Sequence, residues 1–282
     1  MLKIISDTTT GLTKEAAAQH EVDLVSQIVM FGSETLRDGV DLTNDVFLQR
    51  LKASKAFPTT SQPPVGDFLD VFKPLLDAGH EILCITVSSH LSGTYNSAET
   101  AKKQLGSDRI TLVDSKTVAA AEALLVLEAA RMAREGKPVA EIVSRLETLI
   151  PKTNLDFVLD TLEYLVKGGR AKRIQGIVGT MLQLKPVLSI RDGTGEIGVL
   201  ERIRTKKKAH ARLRGIVDEA FRGKSKFQLA LTHTGLHAEA EALAQEFRAT
   251  YSLGECMVIE MPPAVAAHAG PGALGAAYFV ED

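Results

Sequence analysis

The chain has 282 residues, of which 45% are hydrophobic and 24% charged, with a formal net charge of −2. That length allows one large or two ordinary domains with real cores, and the proportions exclude a disordered or fibrous chain. The charge balance makes no electrostatic case for a protein that binds nucleic acid or coats a membrane surface, so no nucleic-acid partner is expected.

The opening segment, MLKIISDTTTGL, lacks the long apolar stretch of a signal peptide. The most apolar later window, AAAEALLVLEAA, is broken by Glu122 and Glu128, so no membrane span is expected and a cytoplasmic location is. Peripheral membrane contact remains compatible with this. Cys84 and Cys256 form no CxxC and sit in the apolar stretches ILCITV and CMVIEM. They predict buried, reduced thiols in place of a disulfide or metal site.

In chain order, LKII runs into SDTTTG, EILCITV into SSHLSGTYNS and RITLV into DSKTVAAAE. An apolar run, a hydroxyl-rich loop and then a helical pattern is the signature of parallel strands feeding helices. Ligands in such sheets sit outside the carboxyl ends of the strands, where all three loops would lie. Between the first two strands, Thr59-Thr60-Ser61-Gln62-Pro63-Pro64 is driven toward extended geometry by its prolines, ahead of an apolar helix containing Phe68 and Phe72. It could aim hydroxyls at a neighbouring strand end, or serve only as a turn.

An alanine-rich helix is predicted over 118–134, closed by Gly136. A second follows Pro138: Val139, Ile142, Val143, Leu146, Leu149 and Ile150 keep helical spacing and predict an amphipathic face on a sheet. After Pro151 the texture changes, with glycines, basic residues and turn signals clustered over 167–198, then a charged run. An LALTHT strand, a helix over 237–248 and a last strand over 256–261 complete the pattern. A boundary near residue 155 divides the chain into domains 1–155 and 156–282, whose interface is a usual place for a pocket.

Several segments carry candidate chemistry. The Ser88–Ser97 stretch offers hydroxyls, Gly93 and the free amides of a helix start to a small anion, although the same residues serve as plain helix caps. The 268–275 segment, HAGPGALG, contains GxGxxG, but only seven residues follow Gly275. There is no room for the helix, second strand and acidic residue of a dinucleotide site. Glycines packing against a ligand or strand, with His268 as a polar contact, fit better. His233 and His237 are four apart, yet Gly235 between them predicts a strand-to-helix turn. Asp7, Ser92 and His268 supply the residue types of a hydrolase triad without GxSxG, and there is no GxxxxGK[ST] loop.

Two basic clusters remain, one at Lys167, Arg170, Lys172 and Arg173 around a Gly-Gly, the other spread over 202–214. The second reads as a solvated helix face. The first could present Arg170 to an acidic partner or a phosphate, for which a guanidinium is well shaped.

Taken together, TTSQP, SSHLSGTYNSA, LVDS, LEYLVKGGR, LKPVL with a following DG, and HAGPGALG resemble the DegV family in order and spacing across nearly the whole chain. The resemblance implies an α/β protein of two domains, a Rossmann-like parallel sheet followed by a second α/β domain. It implies one long-chain fatty acid, palmitate-like or oleate-like, in an apolar tunnel. The carboxyl would be presented to a separate ATP-dependent fatty acid kinase for phospholipid synthesis, with no catalysis, cofactor or metal of the carrier's own. Thr60 and Ser61, with Ser92 and Gly93, would bind the carboxylate, and His268 would lie beside it. Arg170, with Lys172 and Arg173, would face the kinase and not the lipid. The first motif, SDTTTGL, departs from the family pattern at Thr8, which keeps a hydroxyl where Ser is more frequent. The alternatives are an enzyme acting on a small phosphate- or carboxylate-bearing substrate, and an adaptor with an incidental pocket.

Overall fold

The computed structural model describes residues 1–53, 57–174, 176, 184–251, 253 and 256–282. The chain opens with β1 (Leu2–Asp7), α1 (Lys14–Gln19) and β2 (Val22–Val25). A hairpin of β3 (Ile28–Phe31) and β4 (Glu34–Arg37) follows, then α2 (Asn44–Ala53) and β5 (Thr59–Ser61). Next come α3 (Val65–Asp77), β6 (Glu81–Thr86), α4 (Thr94–Leu105) and β7 (Ile110–Asp114). Strands β2-β1-β6-β7 form a parallel sheet, as the loop-and-helix pattern predicts, while β4-β3-β5 form a small antiparallel sheet beside it. Thr59–Ser61 is therefore a strand paired with β3, not a free turn.

Side-chain spacing explains how the helices attach. Phe68, Phe72 and Leu76 fall at i, i+4 and i+8 of α3, and all three are buried. The rings of Phe68 and Phe72 meet at 5.6 Å, in a cluster with Ile5, Ile82 and Cys84 of the sheet. Gly106 ends α4 with φ +57°, a left-handed cap that only glycine takes without strain.

The helix expected over 118–134 is α5 (Ala120–Arg134), and α6 (Val139–Leu149) follows it with Ile142, Leu146 and Leu149 buried. Ten of the fifteen residues of α5 are buried, more than one amphipathic face can supply. It is enclosed on two sides, touching β1 of the first sheet and three strands of the second, β8 (Asn154–Val158), β11 (Phe227–His233) and β13 (Leu274–Val280). Its alanines allow that close approach.

The second sheet begins at β8 (Asn154–Val158) and adds β9 (Val187–Ile190), β10 (Gly198–Glu201) and β12 (Cys256–Glu260), in the order β10-β9-β8-β13-β11-β12. Only β11 and β12 pair in parallel. Helices α7 (Glu163–Lys167), α8 (Lys206–Phe221), α9 (His237–Tyr251) and α10 (Pro263–Ala269) complete the described elements. The division we propose near residue 155 falls at the start of β8.

One expectation needs correction. The sequence pattern places the last strand at 256–261, yet HAGPGALG leads into β13, an interior strand of the sheet. A Cβ on Gly275 would lie 3.0 Å from Thr232 and 3.1 Å from Phe157, so this glycine lets β13 nest between its neighbours. His233 ends β11 and His237 opens α9, the strand-to-helix turn that Gly235 predicts.

Candidate functional site

A cavity of about 720 Å³ of atom-free space, its mouth included, lies at the carboxyl ends of the parallel strands. It is closed on the other side by β8 and α10. Leu155, Phe157 and Leu159 supply one wall, Val87 and Leu91 another, and Met261 and Ala264 a third. Thirteen of its nineteen lining residues are apolar; the polar six are Thr9, Gln27, Thr60, Ser92, Arg170 and His268. Such a space suits an apolar body carrying one polar group.

Thr60 is the inward residue of a three-residue strand, and alternation along β5 leaves Thr59 and Ser61 exposed. Its Oγ1 is 2.7 Å from Nε2 of His268, a residue 208 positions away on α10. The Oγ of Ser92 lies 2.8 Å from Oγ1 of Thr94, the first residue of α4. Nε2 of Gln27 donates to that same Thr94 oxygen at 2.8 Å and to Oδ1 of Asp7 at 3.0 Å.

Arg170 completes the polar end. Its Nε donates to the carbonyl of Leu91 at 3.0 Å and its Nη1 to that of Gly168 at 2.6 Å. Burial pulls its pKa down, and among the described residues no carboxylate pairs with it. A half-buried guanidinium without an acid is an invitation to an anionic ligand. Burial, with Arg170 adding to it, pushes His268 down to about 3, so the imidazole is neutral at ordinary pH.

The glycines of LEYLVKGGR and HAGPG are spacers at this end. A Cβ on Gly168 would lie 2.0 Å from Nδ1 of His268, and one on Gly270 (φ +74°) would lie 2.4 Å from the Tyr164 ring. The imidazole thus stacks directly over backbone.

The structure brings Thr60, Ser92 and His268 together in the lining and leaves Ser61 and Gly93 out of it. Ser61 Oγ donates to the carbonyl of Gln62, while Gly93 makes room for the Gln62 side chain, which a Cβ would meet at 2.9 Å. Arg170 does not sit apart from the cavity as the sequence reading expects. The carbonyls of Leu91 and Gly168 draw its guanidinium into the wall. Lys172 and Arg173 are exposed, Arg173 standing 3.6 Å from Glu196. Gln27 and Thr94 are additions; nothing in VSQIV marks Gln27, but Thr94 stood inside the SSHLSGTYNS motif.

Asp7 accepts from Thr9, Gln27 and Val87, whereas Nδ1 of His268 has no partner among the described residues, so the three residue types of a hydrolase triad are not wired as one. Among the described residues, no group of three or more His, Cys, Asp or Glu could hold a metal ion. None of the described helices is long and apolar enough to cross a membrane.

Comparison with known proteins agrees with this geometry. A family model described as "Uncharacterised protein, DegV family" matches residues 1–281. A DegV domain-containing protein of Halalkalibacterium halodurans is 34% identical over 281 residues, 99% of each chain. Among solved structures, DegV, a fatty acid binding protein from Bacillus subtilis, is 30% identical, with a TM-score of 0.90 over 99% of both chains. A stearic acid-binding protein from Eubacterium ventriosum is 28% identical with a TM-score of 0.87, covering 99% of this chain and 98% of that one. With the motifs, the fold and the cavity all in register, the chain belongs to the DegV family.

Proposed function

We propose that the protein binds one long-chain fatty acid and presents its carboxylate to a separate ATP-dependent fatty acid kinase for phospholipid synthesis, without catalysis of its own. The observation that carries the reading is the pairing of an apolar cavity with an acid-free guanidinium, Arg170, and two hydroxyls at one end. Similarity to fatty-acid-binding proteins of known structure supports it.

The energetics favour a tail-driven carrier. About fifteen methylenes at roughly 0.8 kcal/mol each supply on the order of 12 kcal/mol before ordering costs. A charge-assisted hydrogen bond at the head contributes only about 1.5–3 kcal/mol. Affinity then comes from the tail, while Thr60, Ser92 and Arg170 set where the carboxyl sits. An enzyme acting on a small phosphate or carboxylate would need an acid–base pair here. His268, neutral and unpartnered at Nδ1, is a poor base at neutral pH.

Native mass spectrometry of the purified chain tests the binding step. A long-chain fatty acid should be retained or taken up from added palmitate or oleate; an empty protein under both conditions would overturn the reading. For the kinase step, the Thr60→Ala/Ser92→Ala double variant should lose transfer by a larger factor than it loses lipid affinity. Normal turnover of bound lipid with collapsed affinity would contradict the orienting role.

A further inference from the structure

The hydrogen bonds behind the cavity can be counted proton by proton, and the count fixes their direction. Thr9 Oγ1 lies 2.6 Å from Asp7 Oδ1 and 2.6 Å from Glu122 Oε2, and both acids are fully buried. A hydroxyl carries one hydrogen, so two such short contacts to carboxyl oxygens need a second proton. Asp7 already accepts from the backbone amides of Thr9 and Val87 and from the Gln27 side chain. Among the described residues Glu122 receives only Ser6 Oγ at 3.3 Å besides. The extra proton therefore resides on Glu122, which donates to Thr9, and Thr9 donates to an ionised Asp7.

An anion at Asp7 turns the amino end of Gln27 toward itself, because the carbonyl end would be repelled. The second amino hydrogen goes to Thr94 Oγ1 at 2.8 Å. Thr94 is fully buried, and its own hydrogen has Ser92 Oγ, 2.8 Å away, as acceptor. Ser92 thus accepts from inside the protein, and its hydrogen is left for the cavity. On the other side, Nδ1 of His268 faces the α-carbon of Gly168 with no acceptor among the described residues, which puts the imidazole hydrogen on Nε2. Nε2 then donates to Thr60, and the Thr60 hydrogen is also left for the cavity.

We propose that Gln27 and Thr94 are positioning residues that hold the Ser92 hydroxyl as a donor toward the ligand, making the head site selective for a carboxylate over a neutral alcohol. This rests on the fatty-acid reading above. A carboxylate offers acceptors only and satisfies Ser92, Thr60 and Arg170 together. A fatty alcohol brings one neutral oxygen, which has too few lone pairs for the three donors and no charge to meet Arg170.

The test compares hexadecanoate with 1-hexadecanol, which share one tail, by displacement of a fluorescent fatty acid from the full chain. Thr94→Val should lower the acid-to-alcohol affinity ratio about tenfold, the loss of one charge-assisted hydrogen bond. Thr94→Ser, which keeps the hydroxyl, should retain the wild-type ratio. A packing fault weakens both ligands alike and leaves the ratio alone. Gln27→Met breaks the same chain one residue further back and reads the same fall should Thr94→Val not fold. An unmoved ratio in Thr94→Val or Gln27→Met, or an equal fall in Thr94→Ser, overturns the positioning role while the lipid reading stands. Wild-type protein that binds neither ligand removes both.

Discussion

Asp156, in the second sheet, and Asp7, at the end of the first strand of the parallel sheet, are both fully buried, but the groups that meet them differ in kind. Asp156 is gripped by Arg191, Nε to Oδ1 at 2.8 Å and Nη2 to Oδ2 at 2.5 Å, and Tyr278 donates to it at 2.9 Å. Arg191 and Tyr278 come from beyond β9 and from β13, so one carboxylate ties the middle of the sheet together. Among the described residues Asp7 meets no cation, only neutral donors, one of which, Thr9, links it to a second acid, Glu122. Burial pushes both Asp7 and Glu122 up. A clamp of opposite charges fixes the elements it joins, and removing one partner leaves the other charge buried alone. A chain of neutral donors also carries direction, which is what a head-group site needs.

Removing the cation should have the largest effect. Arg191→Met leaves Asp156 charged and buried without its partner, and should cost about 3 kcal/mol in urea unfolding. A loss within experimental error would show that Tyr278 and solvent suffice.

Asp38 gives an intermediate effect through pH. Its Oδ2 accepts the Ala264 amide at the start of α10, and burial raises its pKa to about 7. The folded protein holds this proton more tightly than the unfolded chain. The stability it contributes is therefore fully present below about pH 4 and lost as pH rises through about 7. Asp38→Asn should flatten that part of the stability profile and add on the order of 2 kcal/mol at pH 8. An unchanged slope between pH 4 and 8 would assign the dependence elsewhere.

The smallest effect has the opposite sign from the first. Glu122→Gln imitates the protonated acid, its amide donating to Thr9, and should raise stability at pH 8 on the order of 1 kcal/mol. Destabilisation there would mean that Glu122 is ionised and the proton count behind Ser92 is wrong.

Those same acids show what the sequence could and could not reveal. The alternation of apolar strand and hydroxyl-rich loop revealed β1, β6 and β7, and helical spacing revealed α6 to within one residue, because each pattern faces a single packing surface. Glu122 stands out in AAAEALLVL only as an interruption, since its partners Ser6 and Thr9 lie more than 110 positions away. Strand β13 was hidden for a related reason. Packed closely by neighbouring strands and by α5 and α8, it uses Gly275, Ala276 and Ala277, which resemble a loop more than a strand. The β3–β4 hairpin did carry a signal, a two-residue Gly32-Ser33 turn between IVMF and ETLR. The hydroxyl loops holding Thr60 and Ser92, and His268 as a polar contact, were legible from the residues, while their grouping at one head site came from the motif resemblance; Arg170 was legible as a residue but not as part of the wall.

The bond between Thr60 and His268 also has a bearing on how the chain acquires its shape. Its ends are 208 residues apart, and each belongs to a short element, a three-residue strand and a seven-residue helix. Closing so long a loop is entropically costly until the intervening sheets have formed and docked. The head site should therefore assemble in the final kinetic phase of refolding, after most native helix signal has returned. Ligand capture then reports completion of the whole molecule, and a chain arrested with either sheet undocked would hold no lipid.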